Sequence, residues 1–184
     1  MPRATPAPPP ARPSAKPPEP KAAPAPVTLD DLFQRLREAE DDAEARGVAK
    51  LIDRRLERSG SGTADLLTER ARQAMGANEI PLAAELMDRV TTLEPGWSEG
   101  WNRRALVFWH LSDKEGAIAD LKRALVLEPR HYEAWAALAR IYLSNEDKPH
   151  ALDAFRRAIA IYPRMPKVQD AIDKLAPDVD GRDL

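Results

Sequence analysis

The sequence predicts an all-α fold, a stack of antiparallel helix pairs, and three observations predict it. Prolines Pro95, Pro129 and Pro163 recur every 34 residues, each behind a similar pair: Leu93-Glu94, Leu127-Glu128 and Ile161-Tyr162. The same offset links Trp101 to Trp135, Ala105 to Ala139, Phe108 to Tyr142, Ala117 to Ala151, Leu121 to Phe155 and Ala124 to Ala158. From Val27 to about Leu175 the apolar residues return at three- and four-residue spacing, without the sustained alternation a half-buried strand needs. A chain of 184 residues with 43% apolar content suits one domain of this kind rather than two large ones.

Residues 1–26 stand apart. They hold 11 of the 18 prolines, 7 alanines and a net charge of +3, too little apolar mass for a core, and read as a disordered, polyproline-like arm. Pro10 to Pro13 spells P-x-x-P within what reads as a semi-rigid spacer. Residues 27–63 form a first helix pair. Thr28 caps it, Asp30 and Asp31 follow where the helix dipole favours acids, and Val27 can staple to Leu32. This unit keeps Phe33, Ala49 and Leu56 on the 34-residue step but has Ser61 where proline is expected and Asp53 in an apolar row. It is therefore a degenerate unit, expected to cap the N-terminal end of the stack.

Three clear repeats follow at 64–97, 98–131 and 132–165, the first carrying Leu67, Ala71, Ala74, Ala83, Met87 and Val90 at the matching places. Small residues at Ala105, Ala117, Ala139 and Ala151 let paired helices approach closely, while Trp101, Phe108, Trp135, Tyr142 and Phe155 fill the seams. Burying such rings predicts that Trp135→Ala costs about 3–5 kcal/mol. A last helix over 166–176 opens at Pro166, lays Val168, Ile172 and Leu175 on one stripe to cover the end of the stack, and stops at Pro177, leaving 177–184 as a flexible tail.

With these residues in place the chain resembles the tetratricopeptide repeat family, whose 34-residue unit is an antiparallel helix pair with a Trp-Leu-Gly-Tyr, Ala, Phe, Ala, Pro signature. The resemblance covers about residues 30–165 and is strongest over 98–165. Arg104 stands where the family has leucine, which Leu138 keeps, and Ala105 and Ala139 replace its glycine. It implies a right-handed superhelical solenoid. The Pro-rich opening, with T-L-D-D-L-F and E-G-W-N-R-R-A, is similar to short alphaproteobacterial members of the family. In those a secretion signal often precedes the Pro-rich stretch, so the resemblance implies a periplasmic place if a signal lies upstream of Met1 or was removed. The residues as given read as cytoplasmic.

Composition and motifs exclude several classes. With 28 basic and 30 acidic residues the net charge is -2, without the basic excess of a nucleic-acid-binding module. The absence of cysteine excludes disulfides, thiol nucleophiles and cysteine metal sites. No apolar run reaches the ~18 residues of a membrane span. His110, His131 and His150 form no i, i+4 pair and read as surface or helix-end residues. Asp31, Asp65, Glu99 and Glu133 recur in first turns, and Arg55, Arg89, Arg123 and Arg157 in last turns, where the helix dipole suffices as explanation. The run Asp178 to Asp183 lacks the glutamate that completes a calcium loop. No catalytic residues, cofactor or metal are expected, and the protein is not expected to be an enzyme.

What remains is a surface. In such arrays the first helices line a concave groove for peptides. The 34-residue step gives three rows: Met75, Trp109, Leu143; Glu38, Arg72, Leu106, Arg140; and Gln34, Thr68, Asn102, Ala136. The candidate protein-binding residues are Arg72, Met75, Asn102, Arg103, Leu106, Trp109, Arg140 and Leu143, for a protein or peptide partner with no nucleic acid and no membrane insertion. Some family members clamp a chaperone's C-terminal carboxylate. The corresponding places here are Thr68, Arg72, Asn102, Glu133 and Ala137, and Glu133 would repel an acid, so that clamp is not expected. A second reading is an accessory or regulatory subunit acting by self-association, in the cell envelope if a signal precedes it.

Overall fold

The computed structural model describes Met1 and residues 27–181, so the arm expected over 2–26 lies outside the described residues, as do 182–184. Among the described residues there are nine helices and no strand: α1 (Leu29–Glu38), α2 (Asp42–Leu56), α3 (Gly62–Gly76), α4 (Ile80–Leu93), α5 (Ser98–His110), α6 (Lys114–Leu127), α7 (Tyr132–Ser144), α8 (Lys148–Ile161) and α9 (Val168–Asp180). Helices α3 to α8 make three consecutive pairs, each packed on the next, and α9 packs on α8.

The period is visible in the backbone. The turn inside each pair passes through a left-handed residue, Asn78, Ser112 or Glu146, each at φ 61° and 34 residues apart. Helices α6 and α8 then begin one residue after Asp113 and Asp147, whose carboxylates accept from the amides of Gly116 and His150. The alanines do as expected: Ala83, Ala117, Ala124, Ala151 and Ala158 are fully buried where helices touch, and larger Met87, Leu121, Leu152 and Phe155 fill the spaces between. The aromatics of the first helices lie further out. Trp101 and Trp135 are half-buried, each indole donating to a proline carbonyl, Pro95 and Pro129, at 3.0 and 2.9 Å. Arg123 and Arg157 lie over these rings at 6.0 and 5.0 Å, so the second-helix arginines read as dipole charges also stack on the tryptophan of their own repeat.

The first helix pair departs from expectation. It does not cap the stack beside α3. A 34-residue step back from Ile80 would start α2 at residue 46, yet α2 starts at Asp42, and α1 has only 10 residues. Out of register, the pair cannot present the knobs a stacked repeat needs. It instead crosses the edge formed by the inter-repeat turns. Near the start of α2, Arg164 donates to the Ala39 and Glu40 carbonyls and pairs with Asp42 at 3.1 Å. Midway, the Tyr132 hydroxyl donates to Asp53 at 2.5 Å. At its end the Trp97 indole donates to the Leu56 carbonyl at 2.7 Å. Asp53, out of place in an apolar row, is there to accept from Tyr132. The core of this pair, Leu32, Phe33, Leu36, Val48 and Ile52, is sealed by Tyr132 and Tyr162 of the later repeats.

The C-terminal helix also differs. It begins at Val168 after a left-handed Lys167, and Pro177 does not stop it. The missing amide of a proline near a helix end removes one hydrogen bond, and here the last turn is held by Lys148 on Asp178 at 2.5 Å, Arg156 on Asp180 at 2.6 Å and Val179 packed on the α8–α9 core. Val168, Ile172 and Leu175 are buried on α8 as the stripe predicted.

Candidate functional site

Helices α5 and α7 wall a groove of about 530 Å³, to whose lining Met165 also contributes. Five of the eight expected residues line it: Asn102, Arg103 and Leu106 and Trp109 on α5, and Arg140 on α7. The other three do not. Arg72 on α3 is turned to Glu69 at 2.6 Å, Met75 packs into the α3–α4 core, and Leu143 packs against α8 and α9. The row Met75, Trp109, Leu143 is therefore not a continuous apolar strip, because its end members sit over cores that bury them. The open apolar surface is Leu106, 54% exposed, and Trp109, 37% exposed, facing Ala137 and Ile141.

One end of the groove is polar and runs into a smaller recess of about 130 Å³ walled by Asp53, Leu56, Glu57, Glu99, Arg103, His131 and Glu133. Its floor is built from α5 and α7. Glu99 is buried and accepts from Asn102 at 2.9 Å, from Arg103 at 2.6 Å and from His131 at 2.9 Å. Arg103 also reaches Glu57, the cap of α2, at 3.0 Å. His131, 2% exposed, caps α7 by taking the Ala134 amide on Nδ1, which leaves Nε2 as the donor to Glu99. It is thus a buried structural histidine rather than a surface one. Burial pushes the Glu99 carboxyl up, and the bond from His131 with the charge of Arg103 outweighs this and holds it below the usual range.

Asp53 and Glu133 go the other way. Burial raises Asp53 although Tyr132 donates to it, with Glu99 and Glu57 adding repulsion. The walls around Glu133 raise its carboxyl, helped by Asp53 and Glu99, though its side chain still meets solvent. Among the described residues neither Glu133 nor Arg140 has a hydrogen-bond or ion-pair partner. The four first-turn acids are thus not equivalent: Asp31 closes a capping box with Thr28, Asp65 accepts from Ser59, Glu99 ties two repeats together, and Glu133 faces the groove unpaired.

Several residues at this edge were not singled out from the sequence. Arg130 stacks over Phe33 at 4.4 Å while binding Glu128 at 2.9 Å and Asp30 at 2.5 Å, and Arg164 plays the corresponding part for α2. A signal existed: both arginines directly follow a periodic proline, Pro129 and Pro163. Arg104, noted only as a departure, grips Asp120 with two bonds of 2.7 Å, reaches Asp88 and Thr91, and lies over Trp101 and Phe108. Among the described residues no group of three or more His, Asp and Glu is placed to hold a metal ion, and no helix is long and apolar enough to cross a membrane.

Stacked helix pairs on a 34-residue period with a groove between their first helices define a helical-repeat solenoid. The tetratricopeptide repeat profile matches residues 68–127 and 111–166, together more than half of the chain. The chain belongs to the tetratricopeptide repeat family, whose domains are protein–protein interaction modules. It is 31% identical over 97 residues to a TPR repeat-containing protein of Rhizobium etli, a match covering 53% of this chain and 48% of the relative, so it spans about half the length of that relative. Among solved structures it is similar to the first TPR of Spaghetti (RPAP3) bound to HSP90 peptide SRMEEVD, with TM-score 0.61 and 15% identity over 65% of this chain and 95% of that one. The Sgt2 TPR domain from Aspergillus fumigatus gives TM-score 0.61 and 18% identity over 67% and 83%. The MamA protein gives 0.59 and 19% over 84% and 82%. At these identities the likeness is one of fold.

Proposed function

We propose that the protein is a non-catalytic scaffold that binds a peptide or protein segment in the groove between α5 and α7, with Asn102, Arg103, Leu106, Trp109 and Arg140 as contact residues. The observation that carries this reading is the pair Leu106 and Trp109, exposed next to each other on a concave wall that repeat stacking leaves uncovered. A similar fold holding an HSP90 peptide supports the use of such a groove for peptides. Arg72, Met75 and Leu143 drop out of the contact set, being engaged elsewhere.

The test is affinity capture from the source cell with the wild-type chain and a Leu106→Ala, Trp109→Ala double variant, with helicity checked by circular dichroism. Loss of a partner with helicity intact is expected. Equal recovery would remove the groove from the function and leave self-association as the alternative, read by light scattering across concentrations.

A further inference from the structure

The recess at the end of the groove is lopsided in charge. Four carboxylates line it: Asp53 from α2, Glu57 from the cap that follows α2, Glu99 from α5 and Glu133 from α7. Facing them are one cation, Arg103, which is bonded to Glu57 and Glu99, and His131, whose ring is a donor to Glu99. Asp53 accepts from the Tyr132 hydroxyl. Glu133 has no hydrogen bond or ion pair among the described residues, feeling only the attraction of the His131 and Arg140 charges, and it lines both the recess and the larger groove. Beyond it on the same wall lie Ala137 and Ile141, opposite Leu106 and Trp109. Arg140, two helical turns along α7, and His131 draw the Glu133 carboxyl down, but burial together with the charges of Asp53 and Glu99 outweighs them.

Resting on the groove reading above, we propose that the groove selects a segment in which a lysine or arginine stands beside apolar residues, the basic side chain entering the recess against Glu133 and the apolar ones covering Leu106 and Trp109. The chemistry is charge complementarity at a partly desolvated carboxylate that no cation of the chain contacts directly. That Glu133 is crowded enough for its carboxyl to be raised points the same way, since an incoming cation would relieve that cost. The out-of-register helix pair is part of the device, because α2 and its cap supply Asp53 and Glu57 to the recess only when folded across the repeat edge.

The experiment uses the full chain labelled with 5-fluorotryptophan, its Trp109 resonance assigned with Trp109→Phe. The probes are acetylated and amidated nonapeptides with Leu and Tyr flanking a central Lys, Gln or Glu, and affinities come from fluorescence anisotropy. The Lys peptide is expected to shift the Trp109 resonance and to bind about tenfold tighter than the Glu peptide, a gap that narrows with added salt. In Glu133→Gln the Lys peptide should fall to within about twofold of the Gln peptide as the charge-assisted contact is lost. A Trp109 response equal for all three peptides, or strongest for Glu, overturns the proposal while leaving the groove reading in place. A Trp109 resonance that none of them moves, as when a second copy or residues 2–26 already fill the groove, overturns both.

Discussion

The Nε2 atom of His131 lies 2.9 Å from Oε2 of Glu99, joining the starts of two successive first helices through side chains that are 3% and 9% exposed. Each has a second duty, His131 as the cap of α7 and Glu99 as acceptor for Arg103 and Asn102. Removing His131 leaves a buried carboxylate with one donor fewer and a helix uncapped, so His131→Ala should cost about 2–3 kcal/mol in urea unfolding. The pH dependence follows from Glu99 being held below its ordinary range. Its contribution is fully present above the unfolded carboxylate value of about 4.3 and is lost as pH falls through the lower folded value. Glu99→Gln should therefore flatten the acid limb of the stability curve; an unchanged limb would place the sensitivity elsewhere.

Tyr132 is the central fastening of the α1–α2 pair. Its hydroxyl serves Asp53, which burial has already made reluctant to ionise, so Tyr132→Phe strips a half-buried carboxylate of its donor at a cost of about 1–3 kcal/mol. The loss should be local: hydrogen exchange should quicken in Leu29–Glu38 and Asp42–Leu56 while α5 to α8 stay protected. Asp53 carries the opposite sign to Glu99. A carboxyl raised in the fold opposes stability when ionised, and the penalty eases as pH falls toward the folded value, so Asp53→Asn should be neutral or stabilising at pH 7 with its advantage shrinking toward pH 5. Uniform protection loss in Tyr132→Phe would mean the pair unfolds with the stack rather than alone.

The repeats were legible because their evidence is periodic: Pro95, Pro129 and Pro163 fix the step, and the buried alanines fall wherever it predicts. The position of α1 and α2 was not, since a helix pair out of register leaves no periodic trace of where it docks, and Asp53 looks like decay until Tyr132 is seen above it. For the groove, Asn102, Leu106, Trp109 and Arg140 came from the step, and Arg103 stands next to Asn102 outside the three rows. Arg72, Met75 and Leu143 share that step but have neighbours the sequence does not announce: Glu69 one turn away, the α3–α4 core and helix α9. His131 shows the same blindness, because a lone histidine before a helix becomes buried only when α2 covers it.

Arg104 replaces a family leucine, and the structure shows what came with it. Its guanidinium takes both oxygens of Asp120, which is 4% exposed, and adds Asp88 and Thr91, linking α4, α5 and α6. Arg104→Leu alone strands Asp120 in the interior and should cost about 3–5 kcal/mol. Arg104→Leu combined with Asp120→Leu should recover most of that, since two apolar side chains can replace a buried pair. A double variant no more stable than the single one, in guanidinium unfolding, would mean that stacking on Trp101 and Phe108 matters more than the ion pair.

Two tryptophans on equivalent helices should respond unequally. Trp135 fills the seam between the repeats of α5–α6 and α7–α8, donates to Pro129 and lies under Arg157, but it is half-buried rather than enclosed. Truncation thus exposes less cavity than full burial would, and Trp135→Ala should cost about 2–3 kcal/mol, below the range expected for an enclosed ring. Trp109 sits on the groove wall at 37% exposure with no hydrogen bond to its indole among the described residues. Trp109→Ala should cost under about 1 kcal/mol, the usual scale for a surface position away from special features. Thermal unfolding of both variants checks this. A Trp109→Ala loss as large as that of Trp135→Ala would show that the ring is an internal strut, and its exposure would then say nothing of a partner.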